Sequence, residues 1–393
     1  MKISRSRKIF AGYYFCYFGG LACISSYLNV YLEKELGFNG TQLGIYTSLT
    51  AFLPAFLIPL IGYWSDKTAR HKVFFITALG VQIASTALLS QQKTVLSVVT
   101  VGMMMEIAHF AVTPLADTQS TNFCTLTKSN YGLLRCGGSV GWVVFGMVTG
   151  FVVARSGAWN IIFPMACGVA VLAFLLGLTF PKTEKAANVS DAQHIGMKDV
   201  KMLVHNRPYL LVLLLSVQAS VTTDTILAYI GNHLIVTLGA GASSISWNTA
   251  FCVIPEILLL PLSWALLPKL GYRKCYLISC GCLIVRFLIY SVAPNAQIFL
   301  LGSLLQGFTT CCATVVNLAY MKNTVSSSLF GTAVTLSFSA AAVGRAFFSF
   351  GFGQIYQHLG SRSIFTFVLI LQVLMTILVW RTRLLDQPKT QCI

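Results

Sequence analysis

The chain has 393 residues, of which 56% are hydrophobic and only 10% charged. This composition excludes an ordinary soluble domain, in which about a quarter of the residues are charged. The net charge of +16 could suggest nucleic-acid binding. However, the lysines and arginines gather at both ends and in alternate polar loops, as in membrane proteins, so we expect no nucleic-acid partner.

Apolar stretches of about 20 residues, the length a helix needs to cross a bilayer, recur along the chain. They predict twelve transmembrane helices near residues 10–32, 42–65, 72–90, 94–117, 133–154, 158–180, 208–232, 243–268, 274–292, 297–321, 328–356 and 362–381. The fold class is therefore an all-α membrane protein. Because both ends are basic, both termini are expected in the cytoplasm, with the protein in a bacterial plasma membrane.

One polar stretch, residues 182–207, divides the predicted helices into six and six. Pro181 ends the sixth helix and Pro208 begins the seventh, since proline is tolerated at helix boundaries but not inside helices. The sequence thus predicts an N-terminal six-helix bundle over 1–181, a cytoplasmic linker over 182–207 and a C-terminal six-helix bundle over 208–393.

A short basic loop follows the second predicted helix of each half. The first, GYWSDKTARHK, contains Gly62, Asp66, Arg70 and Lys72. Gly62 lets neighbouring helices approach, and Asp66 can pair with Arg70, so this gating loop would latch the cytoplasmic side in one conformation. The alternative is a solvated loop that only obeys the orientation rule. The second loop, residues 268–274, is weaker and favours neither interpretation.

The first loop and the two-half plan resemble the major facilitator superfamily, and the resemblance covers the whole chain. It implies two six-helix bundles that rock around a binding site at the membrane midplane, giving access to each side in turn. The resemblance to the superfamily says nothing of the substrate.

Seven charged side chains lie inside the predicted helices. An unpaired charge there costs about 2.5 to 3.5 kcal/mol on insertion scales, so such residues mark a solute or ion pathway. They are Glu106, Asp117, Arg135, Asp224, Glu256, Arg286 and Arg345. The protein is therefore predicted to move a solute across a membrane.

The fifth predicted helix carries the most informative segment. Arg135, Ser139 and Trp142 stand at i, i+4 and i+7 and share one face, while glycines at 137 and 141 favour close helix packing. Asp117, at the end of the fourth helix, is the nearest acid to Arg135. An arginine–carboxylate pair beside an aromatic ring suits hydroxyl-rich or carboxylated small molecules. The alternative is a tie between the two helices.

This segment resembles the group that contains lactose permease, phenylpropionate permease and the nucleoside symporters. The resemblance places Asp117 and Arg135 at the sugar-binding acid and arginine of lactose permease. It places Trp142 at the tryptophan that stacks on the sugar ring, while Ser139 replaces a cysteine. These four residues are thus implied to bind substrate.

The resemblance extends to the second half. It implies that Glu256 binds substrate and carries a proton together with Asp117, and that Arg286 modulates the proton affinity of Glu256. The alternative is a permanent pair of Glu256 and Arg286. Lactose permease has titratable residues in its tenth helix where this chain has Gln306 and Thr309, so its proton relay is absent as such.

Other residues admit simpler explanations. Asp224 and Arg345 are expected to form a structural ion pair between helices. Tyr13, Tyr17 and Tyr27 are candidates to line a cavity, although such aromatic side chains usually face lipid or neighbouring helices. The twelve cysteines show no ligand spacing and mostly lie in predicted helices, so we expect no metal site and no cofactor.

Together these features predict a proton-coupled importer of a small hydroxylated solute such as a sugar. Symport of an aromatic acid or a nucleoside is the first alternative, and drug export and a non-transporting membrane scaffold are further ones. An enzyme is not expected, because no nucleophile elbow or phosphate loop is present. The expected partners are the substrate, protons and the lipid bilayer, and we expect a monomer.

Overall fold

The computed structural model describes residues 3–68, 70–129, 131–181, 203, 205–325, 329–382 and 384–386. The regular elements in these ranges are helical. In chain order the α-helices are α1 Ile3–Ser25, α2 Leu28–Lys34, α3 Gly40–Thr68, α4 His71–Leu89, α5 Val95–Thr127, α6 Tyr131–Ser156, α7 Ile162–Leu178, α8 Arg207–Ser220, α9 Ile226–Asn232, α10 Ser243–Val292, α11 Ala296–Ser303, α12 Gln306–Cys311, α13 Asn317–Thr324, α14 Phe330–Leu359 and α15 Ser361–Arg381.

Short helical turns of other kinds join some of these helices. Two are 3₁₀ turns, Trp159–Ile161 and Leu384–Asp386. Three are wide π-helical turns, Val221–Thr225, His233–Thr237 and Cys312–Val316. Wide turns of this kind often lie at functional sites, because they redirect backbone carbonyl groups and side chains.

Nine stretches of the described residues are long and apolar enough to cross a membrane. They are Ser4–Lys34, His71–Leu89, Val95–Thr127, Tyr131–Ser156, Trp159–Leu178, Arg207–Thr237, Lys269–Val292, Ala333–Leu359 and Ser361–Arg381. The other three predicted spans fall on helix α3, on the first part of α10 and on α11 to α13. The count of twelve and the side on which the termini lie remain predictions.

The second basic loop is a bend and not a separate loop. Helix α10 runs from Ser243 to Val292 and contains one non-helical residue, Gly271, with φ of 74°. Only glycine adopts this left-handed conformation at little cost, so Gly271 lets the chain turn between the eighth and ninth predicted spans.

The chain divides into two compact units. The first comprises Met1–Asp191 and Gly241–Thr249, and the second comprises Ala192–Ala240 and Ala250–Ile393. In the first unit α1 packs against α6 and α7, and α5 packs against α3 and α4. Aromatic side chains of α1, with Phe75, Phe123 and Phe180, form its core. The second unit has its own core, in which α8 packs against α14.

Two glycines of α6 allow α1 to approach closely. A Cβ atom on Gly137 would lie 2.7 Å from the carbonyl oxygen of Ala11, and one on Gly141 would overlap that of Phe15. The close packing that their four-residue spacing favours is present, and α1 is the partner. This approach brings side chains of α1 next to Arg135.

Candidate functional site

Asp117 and Arg135 meet between α5 and α6. The Nε atom of Arg135 lies 3.7 Å from Oδ1 of Asp117, and 32% and 31% of the Arg135 and Asp117 side chains are exposed. Asp117 follows Pro114, which lies inside α5, by less than one helical turn. The pair is thus partly shielded and still accessible, as a ligand site requires.

Tyr14 of α1 completes the environment of Asp117. Its hydroxyl donates to Oδ1 of Asp117 at 2.6 Å and also lies 2.6 Å from Oγ of Ser120. The hydroxyl of Tyr131 interacts with the same carboxylate. Tyr14 is 1% exposed, so its hydrogen bond to a charged acceptor is shielded from water. Such charge-assisted bonds are stronger than neutral ones.

Phe18, one turn further along α1, supports Arg135. The guanidinium carbon lies 3.9 Å from the centre of the Phe18 ring and 5.2 Å from that of Tyr14. A Cβ on Gly138 would lie 2.7 Å from the Phe18 ring and 3.0 Å from Nη1 of Arg135. The glycine therefore leaves the room in which the guanidinium stacks on the ring.

Ser139 and Trp142 lie on α6 beyond Arg135. Both side chains are half-buried. Trp142 packs against the aromatic core to which Tyr14 belongs. The stripe predicted from the spacing is thus helical over its whole length, with part of each side chain left accessible.

The three tyrosines considered as cavity residues are buried. Tyr13, Tyr17 and Tyr27 are 0%, 2% and 0% exposed. The Tyr17 hydroxyl donates to the carbonyl oxygen of His109 at 3.1 Å, and that of Tyr27 donates to the carbonyl oxygen of Gly146 at 2.7 Å. They face neighbouring helices. Sequence reasoning missed Tyr14 and Phe18, because several aromatic pairs of α1 share the i, i+4 spacing and nothing in the sequence marks the pair that meets Arg135.

Glu256 lies in α10, half-buried, where its backbone touches a glycine of another helix. A Cβ on Gly307 would lie 2.7 Å from the amide nitrogen of Glu256, and Sγ of Cys311 lies 3.9 Å from its carbonyl oxygen. Within the described part of the chain its carboxylate forms no hydrogen bond or ion pair. A carboxylate placed in this way can accept a ligand or a proton.

Arg286 is 1% exposed and makes its hydrogen bonds with neutral groups. Its Nε donates to the hydroxyl of Tyr290 at 3.1 Å, and Nη1 donates to the carbonyl oxygen of Thr222 at 3.4 Å. Cys252 lies within electrostatic range of both Glu256 and Arg286. Each of the two charged residues thus lies near Cys252, and the permanent pair weighed from the sequence is not formed.

Asp224 and Arg345 form an ion pair in the second unit. Nη1 of Arg345 lies 3.8 Å from Oδ2 of Asp224, which also accepts a hydrogen bond from Ser220 at 3.0 Å. Asp224 lies in the wide turn Val221–Thr225, which also supplies the Thr222 carbonyl to Arg286. One wide turn therefore contacts both Arg286 and Arg345.

This turn borders a narrow cleft inside the second unit. Its polar lining includes Gln218, Thr222, Tyr276, Thr309 and Asn317. Tyr276 donates to Oδ1 of Asn317 at 2.6 Å, and Gln218 donates to Gln372 at 2.7 Å. The hydroxyl of Thr309 donates to the carbonyl oxygen of Gln306 at 2.8 Å. The first two contacts join different helices of the same unit, and the third lies within α12.

The predicted gating loop is largely helical. Helix α3 continues to Thr68, and Arg70 is the residue that precedes α4. Nζ of Lys72 donates to the carbonyl oxygens of Leu178 at 2.7 Å and Phe180 at 2.9 Å, so it ties α4 to the end of α7. The side chains at Gly62 and Asp66 lie outside the described residues, and the latch stays a prediction.

The sequence is similar to those of known membrane transporters. The family model of the MFS_1 like family matches residues 8–367. The uncharacterized transporter YwbF of Bacillus subtilis is 25% identical over 379 residues, 95% of this chain and 90% of that protein. Maltose permease of Geobacillus stearothermophilus is 23% identical over 86% of this chain and 84% of its own length, and lactose permease of Klebsiella oxytoca is 22% identical over 84% and 85%.

Solved structures show the same fold. The nucleoside transporter NupG superposes with a TM-score of 0.81 over 98% of this chain and all of its own, at 16% identity. A D-xylose–proton symporter superposes with a TM-score of 0.73 over 98% of both chains, again at 16% identity.

Proposed function

Because the chain belongs to the MFS_1 like family, whose members here are major facilitator superfamily transporters and not enzymes, we propose that it is a proton-coupled symporter of a small hydroxylated solute. The solute is a sugar, taken up by alternating access between two bundles, 1–181 and 208–393, joined by the linker 182–207. The protein works as a monomer in the bacterial plasma membrane, with both termini in the cytoplasm.

The contact of Asp117 with Arg135 carries this proposal. A carboxylate accepts hydrogen bonds, a guanidinium donates them, and both side chains remain about one third exposed. Together they carry no net charge, so they match a neutral ligand with hydroxyl groups that both donate and accept. Trp142, two turns after Arg135, supplies a flat apolar surface for a sugar ring, and Ser139 a further hydroxyl.

The environment of Arg286 argues against the aromatic-acid alternative. A carboxylate substrate would be bound best by two accessible cations. Arg286 is 1% exposed and already donates to Tyr290 and Thr222, so it is not available to bind an anion. Of these two arginines Arg135 is the accessible one, and Asp117 beside it repels the carboxylate of a substrate.

Proton coupling is assigned to Glu256, with Asp117 as the second carrier. The carboxylate of Glu256 is half-buried and unpaired within the described residues, so it can take up and release a proton without breaking a permanent salt bridge. Arg286, which shares the neighbour Cys252 with it, modulates its proton affinity during transport. The maltose and lactose permeases among its relatives and the structural likeness to a D-xylose–proton symporter agree with such a function.

The test uses purified protein in liposomes with an imposed inward proton gradient. Uptake of radiolabelled lactose, maltose, D-xylose, uridine and phenylpropionate is measured, with Arg135→Ala as the site variant and Arg155→Ala, at the other end of the same helix, as its matched control. We expect sugar uptake with proton entry in the wild type and in Arg155→Ala but not in Arg135→Ala. Uptake of phenylpropionate alone, or no proton movement with any of them, would overturn the proposal.

A further inference from the structure

Side chains of α1 and α6 hold the carboxylate of Asp117 from one side. The Tyr14 hydroxyl donates to Oδ1 at 2.6 Å, and Nε of Arg135 lies 3.7 Å from the same oxygen. The Tyr131 hydroxyl also hydrogen-bonds this carboxylate. Asp117 is thus held by groups of the protein on one side, while 31% of its side chain stays exposed to a ligand.

The guanidinium of Arg135 is fixed in a similar way. Its flat face lies on the Phe18 ring at 3.9 Å, and Nε points to Asp117. Nη1 and Nη2 donate no hydrogen bond within the described residues. Stacking thus uses the face of the group, and the outer edge with its donors remains open.

We propose that Tyr14 and Phe18 of α1 are positioning residues that orient Asp117 and Arg135. Tyr14 holds the Asp117 carboxylate through Oδ1, so that its exposed edge receives a substrate hydroxyl, and Phe18 holds the guanidinium so that its outer edge donates to the same molecule. The part of this inference that concerns specificity rests on the proposed sugar transport. The positioning itself does not.

The alternative is that Tyr14 only fills the core. Tyr13 provides a matched control for this possibility, because it is the neighbouring residue, is 0% exposed and has a hydroxyl without a hydrogen-bond partner. Tyr13→Phe and Tyr14→Phe remove the same atom from the same helix. A role in packing predicts similar effects, whereas positioning predicts an effect of Tyr14→Phe alone.

The first experiment needs no substrate. The wild type and both variants are labelled with the hydrophobic reagent dicyclohexylcarbodiimide, which attacks protonated carboxyl groups, and modification of Asp117 is followed by peptide mass spectrometry. Removing a donor to the carboxylate favours its protonated form, so Tyr14→Phe should be labelled about fivefold faster. Tyr13→Phe should match the wild type. Equal rates in the two variants would overturn the positioning role.

Ser120→Ala serves as the second variant, since Ser120 touches the Tyr14 hydroxyl at 2.6 Å. We expect Ser120→Ala to raise the labelling rate less than Tyr14→Phe does, and to add nothing once Tyr14 is Phe. Additive effects of the two substitutions would contradict a shared hydrogen-bond chain. Size-exclusion profiles of all variants exclude unfolding as the cause of faster labelling.

The specificity part is measured as competition for uptake in liposomes. Lactose, maltose and D-xylose are each compared with their monodeoxy analogues. A free Oδ1 accepts hydroxyls in more than one orientation, so Tyr14→Phe should discriminate about fivefold less between a sugar and its least favoured analogue. If Tyr14→Phe speeds the labelling of Asp117 but discriminates between the sugars as the wild type does, Tyr14 positions Asp117 and does not set specificity. Absence of sugar uptake in the wild type would reject the proposed function and the specificity part, while labelling still decides the positioning.

Discussion

Arg286 donates to the carbonyl oxygen of Thr222, at 3.4 Å, from a helix more than 60 residues further along the chain. Thr222 lies in the wide turn Val221–Thr225, a π-helical turn in which the backbone hydrogen bonds span five residues instead of four. A buried cation is thus held by neutral acceptors, since Tyr290 accepts from its Nε at 3.1 Å. These two hydrogen bonds stabilise the Arg286 guanidinium without an ion pair to Glu256.

A first prediction concerns the stability of this unit. Arg286→Lys should destabilise the protein by about 2 kcal/mol, because an ammonium group on a different stem cannot replace both bonds of the guanidinium. Thermal unfolding followed by fluorescence-detected size-exclusion chromatography measures the change. Glu256→Gln, whose carboxylate has no partner within the described residues, is the control and should unfold near the wild-type temperature. Equal losses of stability in the two variants would contradict a stabilising role for the hydrogen bonds of Arg286.

A second prediction concerns coupling. Glu256→Gln should retain substrate exchange and lose accumulation against a gradient, because the amide can still form hydrogen bonds but cannot carry a proton. Counterflow and proton-driven uptake of lactose, maltose and D-xylose in the same vesicles separate the two activities. Asp224→Glu is the control, since that acid is bound to Arg345 and should keep accumulation. Full accumulation by Glu256→Gln would remove this residue from the coupling role.

Two ion pairs between helices could be predicted from the sequence. Asp117 and Arg135 lie together, as do Asp224 and Arg345, because a charge inside an apolar helix needs a partner and few were available. Sequence reasoning could not find the partner of Arg286, because that partner is a backbone carbonyl exposed by a wide helical turn, and no residue type in the sequence marks such a group.

The sequence also does not indicate which face of α1 packs against α5 and α6. The aromatic residues of α1 spread over more than one face, so no single stripe indicates which side meets α5 and α6, and a shift of one residue rotates a side chain by about 100°. Tyr13 and Tyr14 are chemically alike, yet only Tyr14 reaches Asp117. The tight approach to Gly141 fixes that rotation, and it is a property of two helices together.

A third prediction concerns the binding of a substrate. Arg135→Lys should lower kcat/KM for the transported sugar at least about tenfold, because lysine offers neither the planar stack on Phe18 nor two parallel donors. Arg345→Lys, in the other charged pair, should have a smaller effect if that pair is only structural. Both are measured as initial uptake rates over a range of sugar concentrations. A larger loss of kcat/KM in Arg345→Lys would indicate that Asp224 and Arg345 bind the sugar and that Asp117 and Arg135 are the structural pair.

A fourth prediction concerns the pair of Asp224 and Arg345. The carboxylate is 54% exposed and the contact is 3.8 Å, so its contribution to stability should be about 1 kcal/mol or less. The neutral double variant Asp224→Asn/Arg345→Gln should therefore fold and transport. Asp224→Asn alone leaves the 18% exposed Arg345 without its carboxylate and should reduce expression and melting temperature more than the double change. The reverse order would contradict a structural tie.

A fifth prediction tests the helix contact on which the site depends. A methyl group at Gly141 would overlap the carbonyl oxygen of Phe15, so α1 would have to move away from α6, and overpacking of this kind costs about 1 to 3 kcal/mol. Gly168→Ala is the matched control, because nothing lies within 4 Å of a Cβ at that helical position. We expect Gly141→Ala to lower both the melting temperature and sugar uptake, and to speed carbodiimide labelling of Asp117, since Tyr14 moves with α1. Loss of stability with unchanged labelling would mean that the Tyr14 bond survives the displacement and that the position of α1 does not control the carboxylate.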